Sequence, residues 1–166
     1  MKYLIYAAYG SNLLKERFII YIKGGEYRGR YYRGSSDRND PIDLGWIYVP
    51  HRLYFAKRSP TWDNKGVAFL SYEAERNKEY YTVARLWKIS KAQFEDIKEQ
   101  EGRKWYGKEL YLGEKGRLEI KTITGNWESE KNEPSQEYLD VIKKGIKETT
   151  GWEDSKIEEY LRKFYE

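Results

Sequence analysis

The most constraining feature of this chain is an abrupt change of pattern near its start. Residues 3–8 (YLIYAA) form an apolar run, which predicts a buried strand. A Gly10-Ser11-Asn12 corner follows, and Leu13–Ile22 then carries apolar residues at helical spacing. Two interpretations of the corner remain open. Ser11 or Asn12 can act as an ordinary helix cap, or the amides of the corner can bind a carboxylate or phosphate, helped by the start of the helix.

Strand and helix signals alternate along the rest of the chain. Strands are predicted over residues 44–49, 52–57, 67–72, 81–89, 110–112 and 118–124, and helices over 90–101, 135–149 and 154–164. Ser90 and Gln93 have the spacing of a capping box, and Gly151 is placed to end its helix. This pattern predicts an α+β fold built on a curled sheet or small barrel, and the length predicts a single domain over residues 1–166.

Residues 23–43 have a different composition from their surroundings. The segment is rich in glycine and charge and has no apolar period, so it is predicted to be a long inserted loop. Three roles remain open: a solvated loop, a lid over a cavity, or a nucleic-acid contact made by arginines interleaved with tyrosines. Glu26, Asp37 and Asp40 dilute its positive charge, which disfavours the nucleic-acid contact.

The composition excludes several kinds of chemistry. The chain has no cysteine, so thiol catalysis, disulfides and cysteine metal sites are excluded. It has one histidine, His51, so motifs with two histidine ligands are excluded, and no metal site is expected. A solvent-facing or structural role is expected for His51. The apolar run near the start is too short to span a membrane, and we expect a cytoplasmic protein. The net charge of +4 mildly favours anionic partners.

Glu101 stands out in the helix predicted over residues 90–101. Phe94 and Ile97 define the inward face of that helix, and the same face reaches Glu101, just before Gly102. The other charged residues of the helix are expected to face solvent, Lys98 among them. A buried carboxylate has a raised pKa and accepts protons better near neutral pH. The alternative is a frayed last turn, in which Glu101 meets water or pairs with Arg103 or Lys104.

Four segments together resemble gamma-glutamylcyclotransferase-like proteins, in the order that the family has. YAAYGSNLLKERF (residues 6–18) is similar to the Tyr-Gly-Ser-Asn-Leu signature, and EQEG (99–102) resembles the segment with the catalytic glutamate. SPTWDNKGVAFL (59–70) resembles the family's Thr-Trp-x-Gly-Gly stretch, and the segment from residue 133 to 161, which begins EPSQEYL, resembles its C-terminal segment. The YIKGG stretch, residues 21–25, resembles an insertion found in some bacterial members of that family.

The resemblance implies a fold, a reaction and a set of site residues. The fold would be a small mixed β-barrel with flanking helices and a cavity between the corner and the glutamate. The reaction would release 5-oxoproline from a γ-glutamyl amide or amine without a cofactor. Glu101 would be the general base and acid, and Tyr138 would position the substrate. The other substrate-binding residues, with the substrate carboxylate held by the corner, would be Tyr6, Ala7, Ala8, Tyr9, Gly10, Ser11, Asn12 and Leu13.

A second function class remains open beside the enzyme. The same fold can hold a small anionic ligand, such as a nucleotide, without turnover. Retention of Glu101 favours the enzyme, because a protein that only binds an anion has no need of a carboxylate facing it. The basic inserted segment favours the binding protein. In both cases the expected partner is a small molecule with a carboxylate or similar anion, and neither a membrane nor a nucleic acid is expected.

Overall fold

The computed structural model describes residues 2–166 as a sequence of nine strands and four helices. The strands are β1 (Tyr3–Ala8), β2 (Gly25–Tyr27), β3 (Arg30–Tyr32), β4 (Ile42–Val49), β5 (Leu53–Ser59), β6 (Lys65–Leu70), β7 (Thr82–Ser90), β8 (Lys108–Lys115) and β9 (Leu118–Thr124). The helices are α1 (Lys15–Lys23), α2 (Lys91–Glu101), α3 (Gln136–Thr150) and α4 (Asp154–Arg162).

The central sheet has five strands in the order β4-β7-β1-β9-β8. Strand β1 lies inside it, antiparallel to β7 and parallel to β9. Both faces of β1 are covered, because Ile5 and Ala7 belong to one apolar cluster whereas Leu4, Tyr6 and Ala8 belong to another. A strand buried on both faces has a continuous apolar sequence rather than an alternating one. The predicted α+β class, with a mixed sheet and flanking helices, is confirmed.

The remaining strands form two hairpins outside this sheet. Strand β5 pairs with β6, and β2 pairs with β3. Side chains, rather than a backbone ladder, connect the β5–β6 hairpin to the end of β9. The Thr124 hydroxyl accepts a hydrogen bond from the Leu70 amide (2.9 Å) and donates one to the Leu70 carbonyl (2.8 Å). The fold therefore consists of a five-stranded sheet and a separate hairpin, which shares an apolar cluster with the Ile5 and Ala7 side of β1.

The corner after β1 differs from the predicted helix cap. Residues 11–13 form a single 3-10 turn, Leu14 is extended, and α1 begins only at Lys15. Neither the turn nor α1 is capped by a side chain. The prediction that Ser11 or Asn12 caps a helix from Leu13 was wrong, because the extended residue Leu14 separates the turn from α1. Because α1 does not start at the corner, its dipole does not assist anion binding there.

The segment 23–43 is more ordered than its composition predicted. Strands β2 and β3 form a hairpin whose turn residues, Arg28 and Gly29, have φ of 51° and 79°. Positive φ at both central residues is typical of the two-residue turn that suits the twist of a hairpin. The segment was not recognised as strands because each strand is only three residues long.

The helix ends agree better with the sequence. The capping box of Ser90 and Gln93 is present at the start of α2, and Gly151 ends α3 with φ of 73°.

One charged residue of α2 was placed wrongly. Lys98 is buried rather than solvated, because its ammonium group lies between Glu95 (2.7 Å) and Glu109 (2.5 Å). Among residues 2–166, no helix combines the length and apolar content that crossing a bilayer requires.

Candidate functional site

A cavity of about 100 Å³ lies between the corner after β1, the end of α2 and the β2–β3 hairpin. One buried water needs roughly 10–15 Å³, so the cavity suits a ligand of amino-acid size. Its wall consists mostly of aromatic, hydroxyl and charged side chains. The lining residues are Tyr6, Tyr9, Gly10, Ser11, Asn12, Arg17, Tyr21, Arg30, Tyr32, Ser59, Thr61, Trp62, Val67, Ala68, Glu101, Trp105, Tyr106, Ile123 and Tyr138.

The 3-10 turn supplies backbone donors to this cavity. Its own hydrogen bonds run from the Leu13 amide to the Gly10 carbonyl and from the Leu14 amide to the Ser11 carbonyl. Neither bond uses the amide of Ser11 or Asn12, which open the turn and have no acceptor within it. The backbone at Gly10 lies close to Ala68 and Tyr138. A Cβ added at Gly10 would lie 3.1 Å from the Ala68 Cβ and 3.3 Å from the Tyr138 hydroxyl, so a larger residue would crowd this side of the cavity.

Glu101 is the only carboxylate among the cavity-lining residues. It is the last residue of α2, and its Oε1 accepts a hydrogen bond from Asn12 Nδ2 at 3.2 Å. Desolvation raises the pKa of Glu101, although the positive charge of Arg17 and a hydrogen bond from Tyr21 act in the opposite direction. The alternative pairing with Arg103 is wrong, because Arg103 contacts Glu95 and Glu99 instead.

Asn12 connects the turn to the carboxylate. Its Nδ2 donates both to Glu101 and to the Tyr6 hydroxyl (3.2 Å), while its Oδ1 is buried without a hydrogen-bond partner among residues 2–166. A buried acceptor without a donor is costly, and native proteins satisfy nearly all such groups. An empty acceptor beside a carboxylate at a cavity wall is therefore suited to a ligand that donates hydrogen bonds.

Tyr138 reaches the same cavity from the first turn of α3. The Ala68 amide donates a hydrogen bond to its hydroxyl oxygen at 2.9 Å, so the hydroxyl hydrogen remains free to donate. The ring packs against Trp62, with 4.8 Å between ring centroids. Burial raises the pKa of Tyr138, which keeps its hydroxyl protonated. The arrangement leaves one directed donor at the cavity, close to Gly10.

The other residues predicted for the site divide into two groups. Tyr6 and Tyr9 line the cavity with the turn, but the Tyr9 hydroxyl already donates to the Ile123 carbonyl at 2.7 Å. Ala7, Ala8 and Leu13 are absent from the cavity lining, and their side chains are buried in the two apolar clusters. The structure brings Tyr6, Tyr9, Gly10, Ser11, Asn12, Glu101 and Tyr138 together at one cavity. Ala7, Ala8 and Leu13 do not reach the cavity, because their side chains pack in the core on either side of β1.

Several lining residues were missed in the sequence. Arg17 is only 3% exposed, and its guanidinium carbon lies 4.3–4.9 Å from the ring centroids of Tyr21, Tyr27 and Tyr32. Its Nη2 donates to the hydroxyls of Tyr21 (2.9 Å) and Tyr32 (3.0 Å). The spacing of Arg17 and Tyr21, four residues apart on one helix face, was a usable signal. The two tyrosines that the β2–β3 hairpin places beside Arg17, Tyr27 and Tyr32, could not be predicted from the sequence.

The segment 23–43 forms one side of the cavity through Arg30 and Tyr32. Its other arginines are already engaged with protein groups. Arg28 pairs with Glu137 (2.5 Å), and Arg33 pairs with Asp96 (2.9 Å) and Glu99 (2.6 Å). Arginines held by carboxylates are not free to contact phosphates, so the geometry favours a cavity wall over a nucleic-acid surface.

Neither the histidine nor a metal site contributes to the cavity. The His51 ring is buried, and its Nδ1 lies 2.8 Å from the Ser71 carbonyl, which is a structural contact. Within residues 2–166, no group of three or more His, Asp or Glu side chains is positioned to hold a metal ion. The chemistry open to the cavity-lining residues is proton transfer by Glu101 and hydrogen bonding by amides, hydroxyls and guanidinium groups.

Comparison with known proteins identifies the fold. A gamma-glutamyl cyclotransferase structure superposes with a TM-score of 0.70 at 22% identity, covering 96% of this chain and 86% of that one. An uncharacterized human protein, loc79017, gives 0.70 at 23% identity, covering 96% and 87%. YkqA from Bacillus subtilis gives 0.64 at 15% identity, covering all of this chain and 56% of that one. The chain therefore has a gamma-glutamyl cyclotransferase-like fold.

Sequence comparison is less informative. No family model matches the chain. Histone deacetylase 5 of Arabidopsis thaliana is 39% identical over 99 residues, which is 58% of this chain and 15% of that protein. The chain thus spans about 15% of the curated relative that it matches, and the similarity concerns one segment of that longer protein.

Proposed function

We propose that the chain is a cyclotransferase that converts a γ-glutamyl amide or amine into 5-oxoproline and a free amine. The observation that carries the proposal is the position of Glu101. Its carboxylate lies 3.2 Å from Asn12 Nδ2 of the 3-10 turn, at a cavity that Tyr138 also lines. One solved structure with this fold is a gamma-glutamyl cyclotransferase, and we carry that reaction to this chain as a proposal.

The substrate fits the cavity by its two charged α-groups. Its α-carboxylate would accept hydrogen bonds from the amides of Ser11 and Asn12 and from the Tyr138 hydroxyl, whose hydrogen is uncommitted. Its α-ammonium would donate to Glu101 and to the unpartnered Asn12 Oδ1. The buried Asn12 Oδ1, which lacks a partner in the cavity wall, then has a donor in the complex.

The reaction needs proton transfer and a folded substrate, and no cofactor. Glu101 accepts a proton from the α-ammonium, and the resulting amine attacks the γ-carbonyl carbon. As the bond from that carbon to the leaving nitrogen breaks, Glu101 carries a proton to the leaving nitrogen. Two protons in total pass from the α-nitrogen to the leaving nitrogen, so Glu101 ends ionised, as it began. Because the attack is intramolecular, holding the folded conformer supplies much of the rate.

The raised pKa of Glu101 suits this role. A general base works best when its pKa is close to the working pH, and desolvation moves the pKa of Glu101 upward from its usual value near 4.5. Turnover should therefore rise with pH through an acidic limb that lies above the pKa of an exposed glutamate.

The test is incubation with a panel of γ-glutamyl amides and amines, followed by chromatographic detection of products. The proposal expects 5-oxoproline and free amine in equal amounts. Glutamate in place of 5-oxoproline would show hydrolysis and contradict it. If no compound reacts but one raises the melting temperature, the chain is a binding protein for a small anion, the second class that the sequence left open.

A further inference from the structure

Two neighbouring stripes of α2 have different surroundings. The first, Phe94 and Ile97, packs in an apolar cluster and ends at Glu101 in the cavity wall. The second lies one residue behind it, about 100° around the helix, and consists of polar side chains: Gln93, Asp96 and Gln100. Gln93 and Gln100 are only 2% and 6% exposed. Buried amides need hydrogen-bond partners, so the groups that satisfy this stripe also hold α2 in place.

Residues 33–39, which follow β3 and which we call the strap, lie along the polar stripe. The Asp96 carboxylate accepts hydrogen bonds from the Ser36 amide (3.0 Å) and from the Ser36 hydroxyl (3.2 Å). One turn earlier in α2, Gln93 Nε2 donates to the Asn39 carbonyl at 2.8 Å. The inserted segment is therefore fastened to α2 by side chains rather than by a strand ladder.

Gln100 joins three segments at the end of α2. Its Oε1 accepts a hydrogen bond from the Gly34 amide of the strap at 3.0 Å, and its Nε2 donates to the Tyr21 carbonyl at 2.9 Å. Tyr21 lies in the last turn of α1, where carbonyl groups have no partner within the helix. Both polar atoms of the Gln100 side chain are thus used between α1 and the strap, next to Glu101.

The Glu101 carboxylate has few contacts of its own. It accepts hydrogen bonds from Asn12 Nδ2 at 3.2 Å and from the Tyr21 hydroxyl, and α2 ends at this residue. Helix ends fray, so the position of the carboxylate depends on how firmly the preceding residue is held. The backbone of Gln100 is held as well, because Arg30 Nη2 donates to its carbonyl at 3.0 Å.

We infer that Gln100 is a positioning residue for the proposed reaction, because it fastens the last turn of α2 to the strap and to α1 and so holds Glu101 within reach of the substrate nitrogen atoms. This inference rests on the proposed function. A catalytic group misplaced by about 1 Å can lose roughly 100-fold in rate. The segment 23–43 then has a role besides forming a cavity wall, since its strap helps to place the general base.

The test compares Gln100→Met with Gln93→Met on a γ-glutamyl compound that the wild type converts. Gln93 is a matched control, because each of the two side chains is buried and makes three hydrogen bonds, but Gln93 lies two turns away from Glu101. The melting temperature should fall by similar amounts in both variants. Only Gln100→Met should lower kcat, by roughly tenfold or more, while KM changes by less than about threefold.

Two kinetic results would overturn the inference. One is a wild-type kcat in Gln100→Met. The other is an equal loss of kcat in the two variants, since that result indicates a general loosening of α2.

A second pair of variants covers the case in which Gln100→Met does not fold. Glutamate at position 100 keeps the length of the side chain and the acceptor for the Gly34 amide, but when ionised it cannot donate to the Tyr21 carbonyl. Gln100→Glu should lower kcat roughly threefold or more, whereas Gln93→Glu should keep the wild-type value. Equal kcat in these two variants would overturn the inference.

A titration separates this inference from the proposed function. If no γ-glutamyl compound is converted, the pKa of Glu101 is measured by NMR of its carboxyl carbon in the wild type and in the two methionine variants. The charged and titratable groups that act most strongly on this carboxylate are the same in all three proteins: Arg17, Tyr21 and Arg30.

Gln100→Met should lower the pKa of Glu101 toward its usual value near 4.5, because a carboxylate that is no longer held in the cavity meets water. Gln93→Met should leave this pKa unchanged. That pair of results would support the positioning role while the cyclotransferase proposal fails. The same pKa in all three proteins would overturn the positioning role as well.

Discussion

Two buried arginines on opposite sides of the same turn have different surroundings. Arg85, on β7, is 5% exposed and contacts two carboxylates, Asp43 at 2.7 Å and Glu148 at 2.5 Å. It also donates to the Leu13 carbonyl at 2.9 Å. Arg17, on the cavity side, is 3% exposed, and its guanidinium group donates to two tyrosine hydroxyls and lies near three tyrosine rings.

The comparison indicates a structural role for Arg85 and a position at the cavity for Arg17. The charge of Arg85 is neutralised within the fold, and its contacts to β4, α3 and the turn hold the turn in place. The charge of Arg17 has no carboxylate in contact, and two of its nitrogens have no partner within residues 2–166, compared with one for Arg85. A buried guanidinium group with unused donors and no directly paired carboxylate costs stability, as functional sites commonly do.

The largest expected effect on stability comes from replacing each arginine with methionine. Arg85→Met leaves two carboxylates without their cation and releases the turn, so it should cost roughly 2–3 kcal/mol, less than a fully buried pair because both carboxylates are partly exposed. Arg17→Met removes a buried charge that has no directly paired carboxylate, together with two hydrogen bonds, and should cost under about 1 kcal/mol. Thermal unfolding at neutral pH measures both.

The expected melting temperatures follow from the size of the chain. At roughly 2–4 °C per kcal/mol, Arg85→Met should melt roughly 4–12 °C below the wild type and Arg17→Met within about 4 °C of it. Equal losses in the two variants would mean that Arg17 has the same structural role as Arg85, and the comparison would fail.

Gly145 and Gly10 allow the same comparison, because Gly145 packs against the turn from α3 and Gly10 lies on its cavity side. A Cβ on Gly145 of α3 would lie 2.6 Å from the Leu13 Cβ and 2.7 Å from the Leu14 amide, so Gly145→Ala should cost roughly 1–3 kcal/mol by moving the backbone. A Cβ on Gly10 would meet only side chains, at 3.1 Å and 3.3 Å. Gly10→Ala should melt within about 3 °C of the wild type but lower kcat/KM roughly tenfold, because it displaces the Tyr138 hydroxyl.

A temperature scan and a kinetic assay of both glycine variants separate the two roles. Loss of activity without loss of stability is expected only on the cavity side of the turn. If Gly145→Ala is fully stable, or if Gly10→Ala has wild-type kinetics, the assignment of the two sides is wrong.

The smallest expected stability effect concerns Glu101 and pH. Because desolvation raises its pKa in the fold, the folded state binds this proton more tightly than the unfolded chain does. The stabilising contribution is complete below pH 4.5, the usual pKa, and is lost as pH rises through the folded pKa. Glu101→Gln should therefore raise the melting temperature slightly at pH 7 and leave it unchanged below about pH 4. A gain independent of pH would contradict the raised pKa.

The sequence predicted the elements whose signals are local. The apolar run of β1 and the capping box of α2 depend on nearby residues, and both were placed within one residue of their observed bounds. The turn after β1 was placed wrongly, because whether Leu14 continues the helix depends on packing against α3. Strands β2 and β3 were missed because three-residue strands carry no periodic signal.

The candidate site was predictable where it followed a helix face and hidden where it depended on tertiary contacts. The spacing from Phe94 and Ile97 to Glu101 was enough to place the carboxylate at a cavity. Arg17 was not found, because a charged residue is expected at the surface unless its partners are known. Its partners Tyr27 and Tyr32 come from the hairpin that the sequence did not reveal.

The most direct test of the account compares the wild type with Glu101→Gln on a γ-glutamyl compound that the wild type converts. The glutamine keeps the shape and the contact with Asn12 but cannot accept a proton. We expect 5-oxoproline formation to fall by a factor of roughly 10²–10⁴, while affinity measured by calorimetry changes by less than about threefold. A variant that binds poorly but converts each bound molecule at the wild-type rate would contradict the role of Glu101 as the general base.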